Sequence, residues 1–546
     1  MRYGRGRRRR GALLPFLVLC ALVTGLGLLM LALRSLDAPP PTTVTFPRAL
    51  ELHDSNNGSA SKVVASQRVG EKPCATVEEM GKDFKRGVGK ESLRVRRIIR
   101  NHFVANGASR VRDLPPEQFC SHGFVLGKTA EAGFGNEMYK VLTAAALSVM
   151  LNRSLIIGQT RGKYPFGDYI SYSNFTFTMK EIKHLWRHKG CESKYGRKLV
   201  MRIDNFEIPV QTNVLCSNWK KWKQPIIWFQ GTTDSMAAQF FLKNTHSQMR
   251  IAALDLFGDP QVLGLRPNVF GELMRVLISP SEGVEAAVNW VIGGGGNPDI
   301  SLHMRMLMNR SVRAIQAALR CLRKAIRSQR IMSSRPKVVL VSDTPALVRS
   351  IKSNVSEFAE VLHFDYEKFE GSIFKGLPKS DFRKRDWGAA PRWVAFVDFF
   401  LASRARYAAI SGAHRRVGTT YAQLIAALAA AYNLGDNSSG SRFLFLSSFQ
   451  SNLLNDGLKN QIGWGHVWNR YAGPLSCHNQ GNQCAFTPVL PSAWWDGLWQ
   501  SPIPRDINRL ASYGIRLSRL GTFDNNSLKN HCKKRKNFVR TITFKL

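Results

Sequence analysis

Acidic residues are scarce in this chain. It holds 38 Asp and Glu against 78 Lys and Arg, a net charge of +40 over 546 residues. The paired C-x-x-C spacing of a zinc site is also missing, although there are nine Cys. Cys20 falls in an apolar run. The other eight, Cys74, Cys120, Cys191, Cys216, Cys321, Cys477, Cys484 and Cys532, form an even set suited to disulfides in an oxidising compartment. Their pairing is not readable from spacing, but Cys477 and Cys484 are near enough to close a local loop. No charge occurs from Gly11 to Leu33. As a helix that run spans about 34 Å, enough for a bilayer core.

Six Arg stand within residues 1–10, ahead of the uncharged run. The positive-inside rule then places residues 1–10 in the cytosol and everything after residue 33 in the lumen. The run exceeds the apolar region of roughly 7–15 residues in a cleaved signal peptide, so a type II signal anchor at 11–33 is expected, in the Golgi or ER membrane. Residues 34–73, rich in Pro, Ser, Thr and Asn, read as a flexible stem. Seven N-x-S/T sequons, at Asn57, Asn152, Asn174, Asn309, Asn354, Asn437 and Asn525, suit a secretory route. Setting aside the six cytosolic Arg lowers the net charge from +40 to +34. A basic chain often binds nucleic acid, but a lumenal one meets other anions. The partners left are a nucleotide sugar, an acidic polysaccharide or an anionic membrane surface.

The stretch Pro298–Met306 reads as a buried parallel strand. Asp299, Ser301, His303 and Arg305 share one parity, and Ile300, Leu302, Met304 and Met306 the other. An imidazole and a guanidinium therefore reach one spot near the strand's carboxyl end, where ligands of open α/β sheets bind. A guanidinium there suits phosphate. Alternation continues afterwards. A helix is expected over Val312–Ser328, a strand over Pro336–Asp343, and a helix over Thr344–Ser353 with Thr344 as cap. A strand over Glu360–Asp365, a helix within Trp387–Ala405 bearing Asp398, and a strand over Arg406–Ser411 follow. The last helix is Thr419–Tyr432. This order predicts a right-handed parallel Rossmann-like lobe.

Upstream, Gly133-x-Gly135 opens an apolar helix from about Glu137 to Leu151, with Asn136 as its cap, followed by a strand at Ser154–Ile157. The pair lacks the third glycine of a dinucleotide fingerprint. A strand is expected within Trp222–Gly231, and residues 258–290 read as helical with Pro breaks. Gly293–Gly296 precedes a strand rather than a helix, so it reads as an interlobe hinge. Residues 435–546 lose the alternation. Their Trp464, Trp468, Trp494, Trp495 and Trp499 read as core or lobe cap, and His531–Lys536 as a solvated tail.

Four segments together resemble the GDP-fucose-dependent fucosyltransferase superfamily, which includes protein O-fucosyltransferases and N-glycan core fucosyltransferases. They are Gly133–Asn136 with Leu151–Leu155, Leu302–Arg305, Val341–Pro345, and Val397–Ser403 with Thr419–Tyr421, spread over roughly 130–432. The resemblance implies a GT-B fold, α/β with two Rossmann-like lobes and an active site between them. The acceptor lobe would span 74–292, the donor lobe 297–434, and a C-terminal extension 435–546. With the anchor expected at 11–33, the resemblance implies a membrane-bound enzyme that transfers fucose from GDP-fucose to a glycan or glycoprotein. The donor diphosphate would meet Arg305, Thr419, Thr420 and the Gly135–Asn136 loop, beside Tyr421. Asp398 and Asp343 would hold the guanosine, and His303 would support the site. Glu137, the carboxylate nearest the donor loop in sequence, is the candidate base. No Asp-x-Asp occurs, which agrees with catalysis needing neither metal nor cofactor. Three departures stand out. Met306 follows Arg305 where some relatives have a second Arg. The Gly412–Gly418 loop is longer and carries three extra cationic side chains. Residues 158–290 show no match. Another nucleotide sugar, or an inactive lumenal scaffold, are the alternatives.

Overall fold

The computed structural model describes residues 88–129, 133–158, 166–231, 237–259, 266–306, 312–328, 335–371, 373, 390–412, 419–435, 443–449, 483–486, 489, 508, 510–516 and 524–546. The chain divides into Met1–Glu71 and Lys72–Leu546. The first unit, with the run Gly11–Leu33, lies outside the described residues. Among the described residues no helix is long and apolar enough to cross a membrane.

The first lobe comprises α1 (Val88–Asn106), β1 (Phe124–Lys128), α2 (Phe134–Leu151), β2 (Ser154–Gly158), β3 (Ile170–Tyr172), α3 (Met179–His188), β4 (Val200–Asn205), β5 (Ile226–Gln230), α4 (Ser247–Phe257) and α5 (Val269–Leu277). Next come β6 (Ile278–Pro280) and α6 (Glu282–Ile292). The second lobe runs through β7 (Ile300–Met304), α7 (Val312–Ser328), β8 (Lys337–Ser342), α8 (Pro345–Ser356), β9 (Glu360–Leu362), α9 (Val394–Ala402), β10 (Ala408–Gly412) and α10 (Thr420–Asn433). Past residue 434 it gains β11 (Leu444–Phe449) and β12 (Gln483–Phe486); α11 (Asn525–Lys534) and β13 (Arg540–Thr543) close the chain.

Two sheets result. The first has the order β13-β4-β5-β1-β2 and the second β12-β11-β10-β7-β8-β9. Within these two sheets only β13 and β12, each at an edge, run antiparallel. In the second sheet the chain winds from β7 to β8 and β9, then returns to β10 on the other flank of β7. In the first it winds from β1 to β2 and returns to β5 on the other flank of β1. Each sheet therefore has a switch point where loops diverge from the carboxyl ends and leave a crevice.

One apolar core fills the space between the sheets. It joins Val125, Leu155 and Ile227 of the first to Val339, Val341, Ala409 and Phe445 of the second through α2, α5, α9 and α10. The opposite face of β7, Ile300, Leu302 and Met304, packs under α7 and α8 with Leu322 and Ile351. That both faces are covered explains why β7 is buried at every position. The small side chains of α10 let α5 approach closely. A Cβ on Gly271 would sit 2.1 Å from the Ala427 carbonyl oxygen, so only glycine fits this crossing. Polar bonds run along the same side of α10. Tyr139 donates to Gln423, Asn268 to the Ala427 carbonyl, and Arg96 to the carbonyls of Ala431 and Leu434. Arg96 is itself paired with buried Glu272 at 2.8 Å. The helix is thus bonded to the first lobe from end to end, and its last carbonyls are capped by a cation that suits the dipole.

Three expectations change. Gly293–Gly296 is no interlobe hinge. Gly293, at φ +56°, caps α6 in the left-handed region, and α6 lies against α9 of the second lobe, with Glu285 bonded to Arg404. Cys484 does not close a local loop with Cys477, which lies outside the described residues. It joins Cys321 of α7, while Cys120 joins Cys191 and Cys216 joins Cys532. His531–Lys536 is not a solvated tail, because Cys532 ties it to the first lobe and β13 pairs with the edge strand β4. The five C-terminal Trp and the loop 413–418 lie outside the described residues.

Candidate active site

Both switch points open on one crevice of about 390 Å³ between the lobes. From β7 come His303 and Arg305, and from β8 Val341, Ser342 and Asp343. Gly133–Asn136 arrive from the start of α2, Ala390–Ala395 from the start of α9, and Thr419–Tyr421 from the start of α10. Three helix N-termini thus converge on one place. Each end carries roughly half a positive charge, which favours an anion. At α2 and α10 the first N–H groups have no backbone partner among the described residues, whereas Val394, Ala395 and Phe396 of α9 donate to the carbonyls of Pro391, Arg392 and Trp393.

Local chemistry explains why these ends are open. The first helix begins at Phe134, three residues before the expected start, and its cap position is Gly133 with no side-chain bond. Asn136 is therefore not the cap, and its side chain is free to reach across the crevice. It accepts a bond from the Thr420 hydroxyl at 3.1 Å. The two helix starts touch so closely that a Cβ on Gly135 would lie 2.8 Å from Thr420 Oγ1 and 2.9 Å from Tyr421 N. Thr419 caps α10, accepting from Ala422 N at 3.1 Å.

Arg305 is exposed, lines the crevice and makes no ion pair among the described residues. Asp343 sets its direction by accepting from Met306 N at 2.7 Å, which turns the chain just past Arg305. Asp343 also lines the crevice. His303 is buried beside Thr419 Oγ1 at 3.4 Å. Burial, helped by the neighbouring Arg305 charge, pushes its imidazole down to about 3. A neutral ring there supports the wall and carries no charge at physiological pH.

The remaining wall is aromatic. Phe134 stacks on Phe166, and Phe396 stacks on Tyr169 at 4.3 Å. Asp398 stands in this wall, 8% exposed, and no protein donor reaches its carboxyl among the described residues. Burial raises it well above the usual carboxylate range. The hydroxyl of Tyr421 donates to the Ala395 carbonyl and holds α10 to α9.

Every residue that the sequence singled out for the donor lines this crevice: Gly135, Asn136, His303, Arg305, Asp343, Asp398, Thr419, Thr420 and Tyr421. Glu137 does not. Its carboxylate is fully buried and holds Lys140 at 3.0 Å. A helical residue one step past Asn136 is turned by about 100°, away from what Asn136 faces. The lining residues that sequence reasoning missed include Phe166 and Arg392. Both lie on short segments with no periodic pattern; the one signal was Pro391-Arg-Trp393 just ahead of an apolar helix. Among the described residues no group of three or more His, Cys, Asp or Glu could hold a metal ion.

Solved structures to which the chain is similar include an Arabidopsis thaliana FUT1 mutant in complex with GDP, at 10% identity and TM-score 0.40, covering 64% of this chain and 78% of that one. Fucosyltransferase NodZ from Bradyrhizobium is similar at 13% identity and TM-score 0.30, covering 56% and 92%. POFUT1 in complex with GDP is similar at 13% identity and TM-score 0.31, covering 56% and 95%. No curated protein sequence matches. Residues 69–544 match the family described as Family of unknown function (DUF7810), and the chain belongs to that family.

Proposed function

We propose that this protein is a GT-B glycosyltransferase that binds GDP-fucose in the interlobe crevice and passes the sugar to a hydroxyl of a glycan or glycoprotein. One observation carries the reading. Three helix N-termini and Arg305 surround a cavity whose aromatic wall holds a buried carboxyl with no protein donor among the described residues. The helix ends and Arg305 suit a diphosphate. Asp398 suits a base that offers donors to both carboxyl oxygens. Guanine has its ring N–H beside the exocyclic amino group, and adenine and uracil lack that pair.

In the reaction the bond from the sugar's anomeric carbon to the β-phosphate oxygen breaks, and its electron pair stays on that oxygen. The acceptor hydroxyl oxygen bonds the carbon and its proton departs to solvent or to a phosphate oxygen. Negative charge grows on the β-phosphate as the bond breaks. Arg305 and the first-turn N–H groups of α2 and α10 are worth most at that moment. We read the Arg-rich start and the run Gly11–Leu33 as a type II anchor in the Golgi or ER membrane, with the crevice lumenal. Endoglycosidase treatment should then shift gel mobility.

The deciding experiment is a thermal-shift series of the full chain with GDP, UDP and ADP, followed by GDP release from GDP-fucose. Stabilisation by GDP alone is the expected result. Stabilisation by UDP instead would indicate another nucleotide sugar, and no response to any of them would leave a non-enzymatic scaffold. Arg305→Ala should lower turnover by about a hundred- to a thousand-fold with little change in Tm. Arg305→Lys keeps the charge but loses the planar fork, so it should restore little.

A further inference from the structure

We propose that Arg392 is a second phosphate-binding cation of the crevice, contacting the diphosphate of the nucleotide from an element other than the one that delivers Arg305. This rests on the nucleotide-diphosphate reading above. Arg392 lies two residues before the first residue of α9, is half-buried and lines the same cavity as Arg305. It enters beside the aromatic wall. Its charge is felt at the Tyr169 hydroxyl, together with that of Asp168, and Tyr169 stacks on Phe396. The guanidinium is thus carried on the segment that opens one of the three convergent helices, next to that helix's own positive end.

A charge ledger shows what the site lacks without it. Three helix ends supply roughly half a positive charge each and Arg305 one, against one negative charge on Asp343. A nucleoside diphosphate sugar brings about two negative charges, and the released diphosphate about three. The site is short by about half a charge, and by about one and a half as the sugar leaves. Asp398 stands in the aromatic wall and is assigned to the base rather than to the diphosphate, so it is outside this count. The position after Arg305 is Met306, which is buried and apolar, so β7 itself offers no second cation. Arg392 supplies one from the second lobe's α9 segment.

Calorimetric titration of the full chain with GDP, GMP and guanosine tests this, comparing the parent with Arg392→Ala, Arg392→Gln and Arg392→Lys. Arg392→Ala should weaken GDP about ten- to a hundred-fold and leave guanosine within about two-fold, with a shallower salt dependence for GDP. Arg392→Lys should recover part of the loss. Unchanged GDP affinity in Arg392→Ala, or in Arg392→Gln if the alanine variant fails to fold, overturns the proposal. An equal loss for guanosine and GDP also overturns it, because Arg392 would then be only a packing element of the wall. If the parent binds UDP rather than GDP, the same comparison with UDP and uridine decides. A parent that binds no nucleoside diphosphate overturns the nucleotide reading, and this proposal with it.

Discussion

The hydroxyl of Thr420 donates to the side-chain oxygen of Asn136 at 3.1 Å, joining the first turn of α10 in the second lobe to the first turn of α2 in the first. Both residues line the crevice, so the bond that joins the lobes also borders the cavity.

Thr420→Val and Asn136→Ala should show coupling in a double-mutant cycle. A neutral hydrogen bond of this kind contributes about 0.5–1.5 kcal/mol. Denaturant unfolding of the two single variants and the double reads it out. Strict additivity would show that the contact contributes nothing to the lobe interface.

Gly135→Ala should damage the site more than the fold. The new Cβ would press on Thr420 and on backbone of α10, and neither can yield without moving that helix start. GDP affinity is expected to fall by about ten-fold or more, with a Tm loss of a few degrees, about 1–3 kcal/mol of overpacking. Parent-like GDP titration curves would contradict the close approach.

Asp398 makes stability fall as pH rises. Its folded-state carboxyl is raised above the unfolded value of 3.8, mainly by burial. Below 3.8 both states hold the proton and nothing is lost. Above it the unfolded chain gives up its proton first, so stability declines until the folded carboxyl also ionises. Asp398→Asn should therefore gain Tm relative to the parent as pH increases from about 4 to 7, while losing guanosine binding. A Tm difference that does not vary with pH would argue against a buried, protonated Asp398.

His303 acts in the opposite sense. Its folded value is lowered to about 3 from 6.5. Its contribution is complete above 6.5 and is lost as pH falls toward 3, because the unfolded imidazole takes a proton that the folded one refuses. The ring resonances of His303 should show no titration between pH 5 and 8. A midpoint near 6.5 would mean that the ring is hydrated.

Cys532→Ser should loosen the C-terminal segment. The bridge to Cys216 spans 316 residues, and loss of a native disulfide costs about 2–5 kcal/mol. Limited proteolysis should then cut near β13 before the rest of the chain. Equal resistance in parent and variant would show that the β13–β4 pairing suffices alone.

The amino-acid sequence by itself determined the second lobe. Continuous apolar runs such as Val338–Val341 mark a strand covered on both faces, and the spacing of those runs leaves room only for helical crossovers. Strand parity placed His303 and Arg305 at one carboxyl end, because side-chain direction in a strand follows from residue number alone. The expected start of the last helix, Thr419, lies one residue before the helix proper, where it turns out to be the cap. Other features had no local signature. The sequence of β13, Arg540–Thr543, is exposed throughout and shows no buried face. It becomes a strand only because β4 offers an unpaired edge. The partner of Cys484 depended on which helix crosses β12, not on distance along the chain. The early start of α2 at Gly133 and the meeting of Asn136 with Thr420 arose where two lobes pack. Arg392 entered the crevice because α9 packs with its N-terminus toward β7 and β8. Local sequence decides which backbone groups must be satisfied and which side chains share a face. Only packing between elements distant in the chain decides which helix ends meet, and here that meeting makes the site.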